Sequence, residues 1–145
     1  MRPALLDASC IVAFLDTAEP RHAECLAMVT SLPPPLITWE AVIAESCYLL
    51  RHLHGAKQAI LADVRKGVYQ IPHVLATRAA EVATLLTKYA DVPMSLADAC
   101  LVDLATQTGS GRILTLDGDF RIYRWGKNRP FELLLEIETD AHPRR

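Results

Sequence analysis

Two kinds of apolar pattern alternate along this chain. Short, nearly continuous apolar runs are followed by longer segments in which apolar residues recur every three or four positions. The runs read as strands: Ala4–Leu6, Pro35–Thr38 (PLIT), Val68–Ile71 (VYQI), Arg112–Leu116 (RILTL) and Phe131–Ile137 (FELLLEI). The periodic segments read as helices over 9–16, 20–32, 39–54, 56–66 and 74–91, with a last one beginning at Ser95 and stopped by Gly109-Ser110-Gly111. Pro20 sits at a first-turn position, and Gly55 and Gly67 punctuate the helices that precede them. In 74–91, Val74, Leu75, Ala79, Val82, Leu85, Leu86 and Tyr89 mark one apolar side.

Strands that are apolar throughout, rather than alternating, belong to a parallel sheet covered on both faces. The expected architecture is therefore a three-layer α/β/α sandwich, one domain over 1–137 with a fraying tail at 138–145. A length of 145 residues suits a single domain with a real core. At 51% hydrophobic and 22% charged residues the composition is that of an ordinary globular protein. No apolar run approaches the roughly 18–20 residues a bilayer demands, and the N-terminus lacks the apolar segment of a secretory signal. A cytoplasmic location with no membrane contact is expected. Cys10, Cys25, Cys47 and Cys100 form no Cys-x-x-Cys pair and are expected to be buried free thiols. His52 and His54 point to different sides of a helix and make a poor metal pair.

One polar position breaks the pattern. Asp98, in MSLADACLVDLA, has Met94, Leu101 and Val102 as its same-face neighbours and no cation among them. Three other acids stand at comparable places. Asp7 ends the first strand, Asp117 follows the fourth, and Glu45 has Ala41, Val42, Tyr48 and Leu49 at helical spacing. Each has a plain structural explanation. Asp7 can cap the next helix, Ser95-x-x-Asp98 has the form of a capping box, Asp117-Gly118 is a turn pair, and Glu45 can be simply exposed. Asp103, Asp63, Glu81 and Glu132 read as surface charge.

Taken together, the four acids point further. Ligands of open α/β sheets bind beyond the carboxyl ends of the strands, where these residues fall. Two carboxylates about 5 Å apart repel by on the order of 3 kcal/mol at an effective dielectric near 20, so four need protons or a divalent cation. Oxygen ligands without Cys or His favour Mg²⁺ or Mn²⁺ over zinc. With those four acids set aside, the net charge of −2 becomes a mildly basic body suited to a polyanion.

The residues LLDASCIVAFL, TWEAVIAESCYLL, MSLADACLVDLA and RILTLDGDF, in this order, resemble the motifs of PIN domains, and of the VapC-type toxins in particular. The likeness covers nearly the whole chain. It implies a parallel sheet in the order 3-2-1-4-5 and a Mg²⁺-dependent endoribonuclease, Mn²⁺ substituting, that hydrolyses single-stranded or loop RNA. Asp7, Glu45, Asp98 and Asp117 match the family's catalytic and metal-binding acids. Ser9 and Thr115 match its supporting hydroxyls, and Asp119 can assist or replace Asp117. It further implies a small antitoxin partner and a homodimer.

In RIYRWGKNRPF, Arg121, Arg124, Trp125 and Lys127 are candidate RNA contacts, the cations for phosphates and the aromatics, with Tyr123 and Phe131, for unstacked bases. A solvated loop with its rings on the sheet is the structural reading of the same segment. Two other functions compete. A PIN-like module that binds RNA or protein without cutting has no use for four repelling acids. A phosphoacceptor receiver domain wants an acidic pair by the first strand and a lysine ending the last, and this chain has neither.

Overall fold

Strand β1 (Ala4–Leu6) is the centre of a parallel sheet in the computed structural model, which describes residues 2–137. The expected tail at 138–145 lies outside the described residues. On one side β1 pairs with β2 (Leu36–Ile37), which pairs with β3 (Tyr69–Gln70). On its other side lies β4 (Arg112–Leu114). Strands β5 (Arg124–Trp125) and β6 (Arg129–Pro130) form a separate antiparallel hairpin, and β7 (Glu132–Leu133) completes the main sheet beside β4. The order β3-β2-β1-β4-β7 is the expected 3-2-1-4-5, with the hairpin inserted before its fifth strand.

Every residue of β1 and β2 is buried, as are Ile113 and Leu114 of β4. Successive side chains of a strand point to opposite faces, so both faces are covered and the three-layer expectation holds. The helices are α1 (Ala8–Leu15), α2 (His22–Ser31), α3 (Glu40–Leu49), α4 (Ala56–Arg65), α5 (Leu75–Lys88) and α6 (Leu96–Thr108). Helix α6 is buried without interruption from Ala97 to Ala105. Its small residues Ala97, Ala99, Cys100 and Ala105 let neighbouring elements approach on all sides.

Some local expectations change. Helix α3 ends at Leu49 rather than 54, and α5 runs over 75–88 rather than 74–91. Val74, Leu75 and Ala79 of the expected apolar side are exposed, while Val82 and Tyr89 are buried. Cys10, Cys25 and Cys100 are buried free thiols as expected; Cys47 is half-buried.

Asp103 is a correction. It is 3% exposed and receives a two-pronged hydrogen bond from Arg78 of α5, Nε to Oδ2 at 2.9 Å and Nη2 to Oδ1 at 2.8 Å. The pair ties α5 to α6.

The segment after β4 is better ordered than a solvated loop. A 3₁₀ turn (Gly118–Arg121) leads into the β5–β6 hairpin. Phe120 meets Tyr123 and Phe131 edge to face at 5.1 and 5.3 Å, and Tyr123 meets Tyr89 at 5.1 Å. The indole of Trp125 is packed against Gly111, where a Cβ would fall 2.0 Å from its Nε1. That contact requires glycine.

Candidate active site

The chain reverses its direction of travel across the sheet between β1 and β4, and Asp7 and Asp117 lie just beyond the carboxyl ends of these two strands. Asp7 immediately follows β1 and N-caps α1, its Oδ1 accepting from the Ala8 amide at 2.7 Å. Its Oδ2 accepts from the Thr115 hydroxyl at 2.6 Å and from Ser9 Oγ at 3.1 Å. Those two hydroxyls are themselves held by the strand exit: Thr115 accepts from the Asp117 amide and Ser9 from the Leu116 amide, both at 2.9 Å. The supporting pair expected from the sequence is thus a hydrogen-bonded unit joining α1 to the end of β4.

Asp98 lies in the first turn of α6 within a complete capping box. Ser95 Oγ accepts from the Asp98 amide at 3.0 Å, and Asp98 Oδ2 accepts from the Ser95 amide at 3.2 Å. The Tyr123 hydroxyl lies 3.3 Å from the same oxygen. Oδ1 makes no hydrogen bond among the described residues. Asp117 caps the 3₁₀ turn by accepting from the Asp119 amide at 2.9 Å, and Glu45 is half-buried on α3.

The electrostatics tie these positions together. Desolvation pushes the Asp7 carboxyl up to about 6, despite the Thr115 and Ala8 hydrogen bonds, and the charges of Asp117 and Glu45 raise it further. Desolvation likewise pushes Asp98 up to about 7, with Asp7 and Asp117 adding to the rise. Burial and the charge of Asp98 also push the Tyr123 phenol up. The charges of Asp117 and Glu45 thus reach Asp7, and those of Asp7 and Asp117 reach Asp98, through low-dielectric surroundings.

Among the described residues, no three metal-ligating side chains already converge on one cation position. A separate cavity of about 190 Å³, lined in part by Arg2, Pro35 and Arg112, contains none of the four acids.

The candidate RNA contacts divide. Arg121 and Lys127 are exposed, and Arg121 also donates to the Ile137 carbonyl. Arg124 turns its Nη1 onto the carbonyls of Arg121, Ile122 and Tyr123, sealing the end of the 3₁₀ turn. Trp125 is 7% exposed and donates its indole N–H to the Pro130 carbonyl at 3.0 Å. With Tyr123 and Phe131 also buried, the rings of this segment belong to the core, and none is placed to receive a base.

A PIN-domain family model matches residues 4–126. The chain belongs to the PIN-domain family. Within that family, this PIN domain is 33% identical over 115 residues to Ribonuclease VapC26 of Mycobacterium tuberculosis (strain ATCC 25618 / H37Rv), across 78% of this chain and 85% of that one. The crystal structure of Mycobacterium tuberculosis VapC20, described as a sarcin-ricin loop cleaving toxin, matches with a TM-score of 0.77 at 26% identity. That match covers 88% of this chain and 99% of the other. The kinship is with VapC-type PIN domains.

Proposed function

We propose that this PIN domain is a metal-dependent endoribonuclease of the VapC toxin type, hydrolysing phosphodiester bonds in single-stranded or loop RNA. The observation that carries this reading is the frame at the strand exits, where Ser9 and Thr115 tie buried Asp7 to the backbone beside Asp117, together with Asp98 buried in the first turn of α6 and raised by that burial and by the charges of both. A module that only binds gains nothing from such a cluster, whereas a hard cation is held by it. The relatives are named a ribonuclease and a sarcin-ricin loop cleaving toxin.

The donor set fits Mg²⁺, with Mn²⁺ as a substitute. All four side chains offer oxygen, and Asp98 keeps an oxygen uncommitted. Asp7, Glu45, Asp98 and Asp117 would hold the ion, with Asp119 beside Asp117. When bound, a divalent ion neutralises the acids and makes its water a stronger nucleophile. The chain's own contribution is orientation. Ser9 and Thr115 fix the Asp7 carboxylate, while the capping box and Tyr123 fix Asp98, so neither acid must reorganise during reaction. Arg121 and Lys127 supply cations for the flanking phosphates. The same reading brings a small antitoxin that covers the acids, a homodimer and a cytoplasmic location.

The test is cleavage of a panel of tRNA and mRNA by purified protein, with and without Mn²⁺, using Asp98→Asn as the control for contaminating nuclease. Asparagine still caps α6 but is a poor ligand, so cleavage falls by at least about 100-fold with the fold retained by circular dichroism. Wild-type cleavage by that variant sinks the assignment. Calorimetric silence toward Mn²⁺ in the wild type favours a binding module instead.

A further inference from the structure

One turn beyond Glu45, α3 carries Tyr48, which is 63% exposed. Every other Phe, Tyr and Trp ring among the described residues is buried or half-buried. A single exposed apolar residue is ordinary, but Tyr48 has company that makes it specific. The Arg51 guanidinium lies 4.2 Å from the ring centroid, and Arg51 Nη1 donates to the Tyr48 carbonyl at 2.9 Å. That second bond anchors the cation over the ring.

The surface continuing from Tyr48 is cationic. Arg51, His52, His54 and Lys57 are all exposed, and no Asp or Glu occurs between Glu45 and Asp63. The left-handed Gly55 (φ 81°) turns the chain tightly from the end of α3 into α4, keeping these side chains on one short corner. His52 Nε2 lies 3.2 Å from Asp16. Arg51 and Lys57 make no ion pair among the described residues. The corner therefore offers one ring, a guanidinium stacked on it and further positive charge. Positions i and i+3 of a helix are surface neighbours about 5–6 Å apart at Cβ, so the ring borders a member of the acidic cluster.

This combination fits a particular partner. An apolar protein segment would need contiguous apolar surface, and Tyr48 is followed by charged and imidazole side chains. A single RNA strand needs a π-face for a base and cations for the phosphates beside it. We infer that Tyr48, backed by Arg51, is the stacking platform for an unpaired base of the RNA strand, next to the phosphate presented to Glu45 and its partners. Lys57 then meets the backbone leading away from the acids. The inference rests on the ribonuclease reading, and it assigns the base contact that the buried rings of 121–131 do not make.

The experiment measures binding apart from cleavage. In the full-length Asp98→Asn background with EDTA, anisotropy of a short fluorescein-labelled single-stranded RNA gives affinity. Tyr48→Ala weakens binding roughly tenfold, whereas Tyr48→Phe, which keeps the π-face, stays within about twofold of the parent. Arg51→Gln weakens binding and reduces the slope of log affinity against log salt by about 0.7. In the otherwise wild-type enzyme Tyr48→Ala raises KM and leaves kcat little changed.

Unchanged RNA affinity in Tyr48→Ala overturns the inference, as does a Phe variant as weak as the Ala variant. So does a parent protein that binds no RNA. A Tyr48→Ala change that alters the sedimenting mass and spares RNA affinity assigns the corner to an interface between copies. Failure of the ribonuclease reading is separable: with Mn²⁺ in place of EDTA and the products run on a denaturing gel, RNA cut equally by the wild type and Asp98→Asn would count against the assignment of the acids and leave the Tyr48 binding result standing.

Discussion

The Thr115 hydroxyl donates to Asp7 Oδ2 at 2.6 Å while accepting from the Asp117 amide at 2.9 Å, so one side chain spans two acids of the cluster. Both jobs need a hydroxyl, and serine retains it. Thr115→Val keeps the volume but leaves the partly buried Asp117 amide without its partner, at a cost of about 1–3 kcal/mol, and leaves Asp7 Oδ2 only the longer bond from Ser9. The expected outcome is a lower urea midpoint and Mn²⁺ affinity reduced about 10–100-fold, with Thr115→Ser close to wild type. Calorimetry on the two variants decides it; equal Mn²⁺ affinity in both would show that the hydroxyl plays no part in holding the ion.

The Arg78–Asp103 pair leads to a stability prediction. Asp103 is 3% exposed, whereas the Arg78 side chain is 20% exposed. Arg78→Ala therefore strands a buried carboxylate, which costs about 3 kcal/mol or more. Replacing both partners by Arg78→Met and Asp103→Leu removes the need for pairing and recovers most of the loss. Denaturant unfolding of the single and double variants checks this. A double variant no more stable than Arg78→Ala would mean the charge pair has no apolar equivalent at this site.

These two pairs show what the sequence discloses and what it hides. The succession of strands and helices and the acids after them are legible because each depends on local pattern: apolar runs, first-turn positions, and carboxylates among apolar neighbours, whereas the order of strands across the sheet was legible only through the resemblance to PIN domains. Asp103 looks solvated in the sequence for a different reason. Its partner sits 25 residues away on another helix, and no window along one helix contains both. Trp125 looks like a base-stacking ring because its slot is made by the missing side chain of Gly111, a contact visible only in three dimensions. Tyr48 reads in the sequence only as a same-face neighbour of Glu45. The signal that was available is the Tyr48–Arg51 spacing at the start of an acid-free run.

The raised carboxyls of Asp7 and Asp98 set a pH dependence with a definite sign. In the unfolded chain both lose their protons near 3.8, but in the folded protein they hold them to about 6 and about 7. Between roughly pH 4 and pH 7 the native state thus binds more protons than the unfolded state, and stability falls as pH rises. The stabilisation is complete below the unfolded pKa and is lost as pH passes through the folded values. A tenfold difference in proton affinity between the two states is worth about 1.4 kcal/mol, so the two acids together account for several kcal/mol at most. Melting in EDTA at pH 5 and pH 7.5 measures the fall. Asp98→Asn has no proton to lose at that position and relieves Asp7 of a charged neighbour, so its stability declines less over the same interval. Adding Mn²⁺ at pH 7.5 restores the wild type by binding only the folded state and does little for the variant. Parallel pH profiles for the two proteins would show that these carboxyls titrate as they do in the unfolded chain, and that burial exacts no penalty on the acidic cluster.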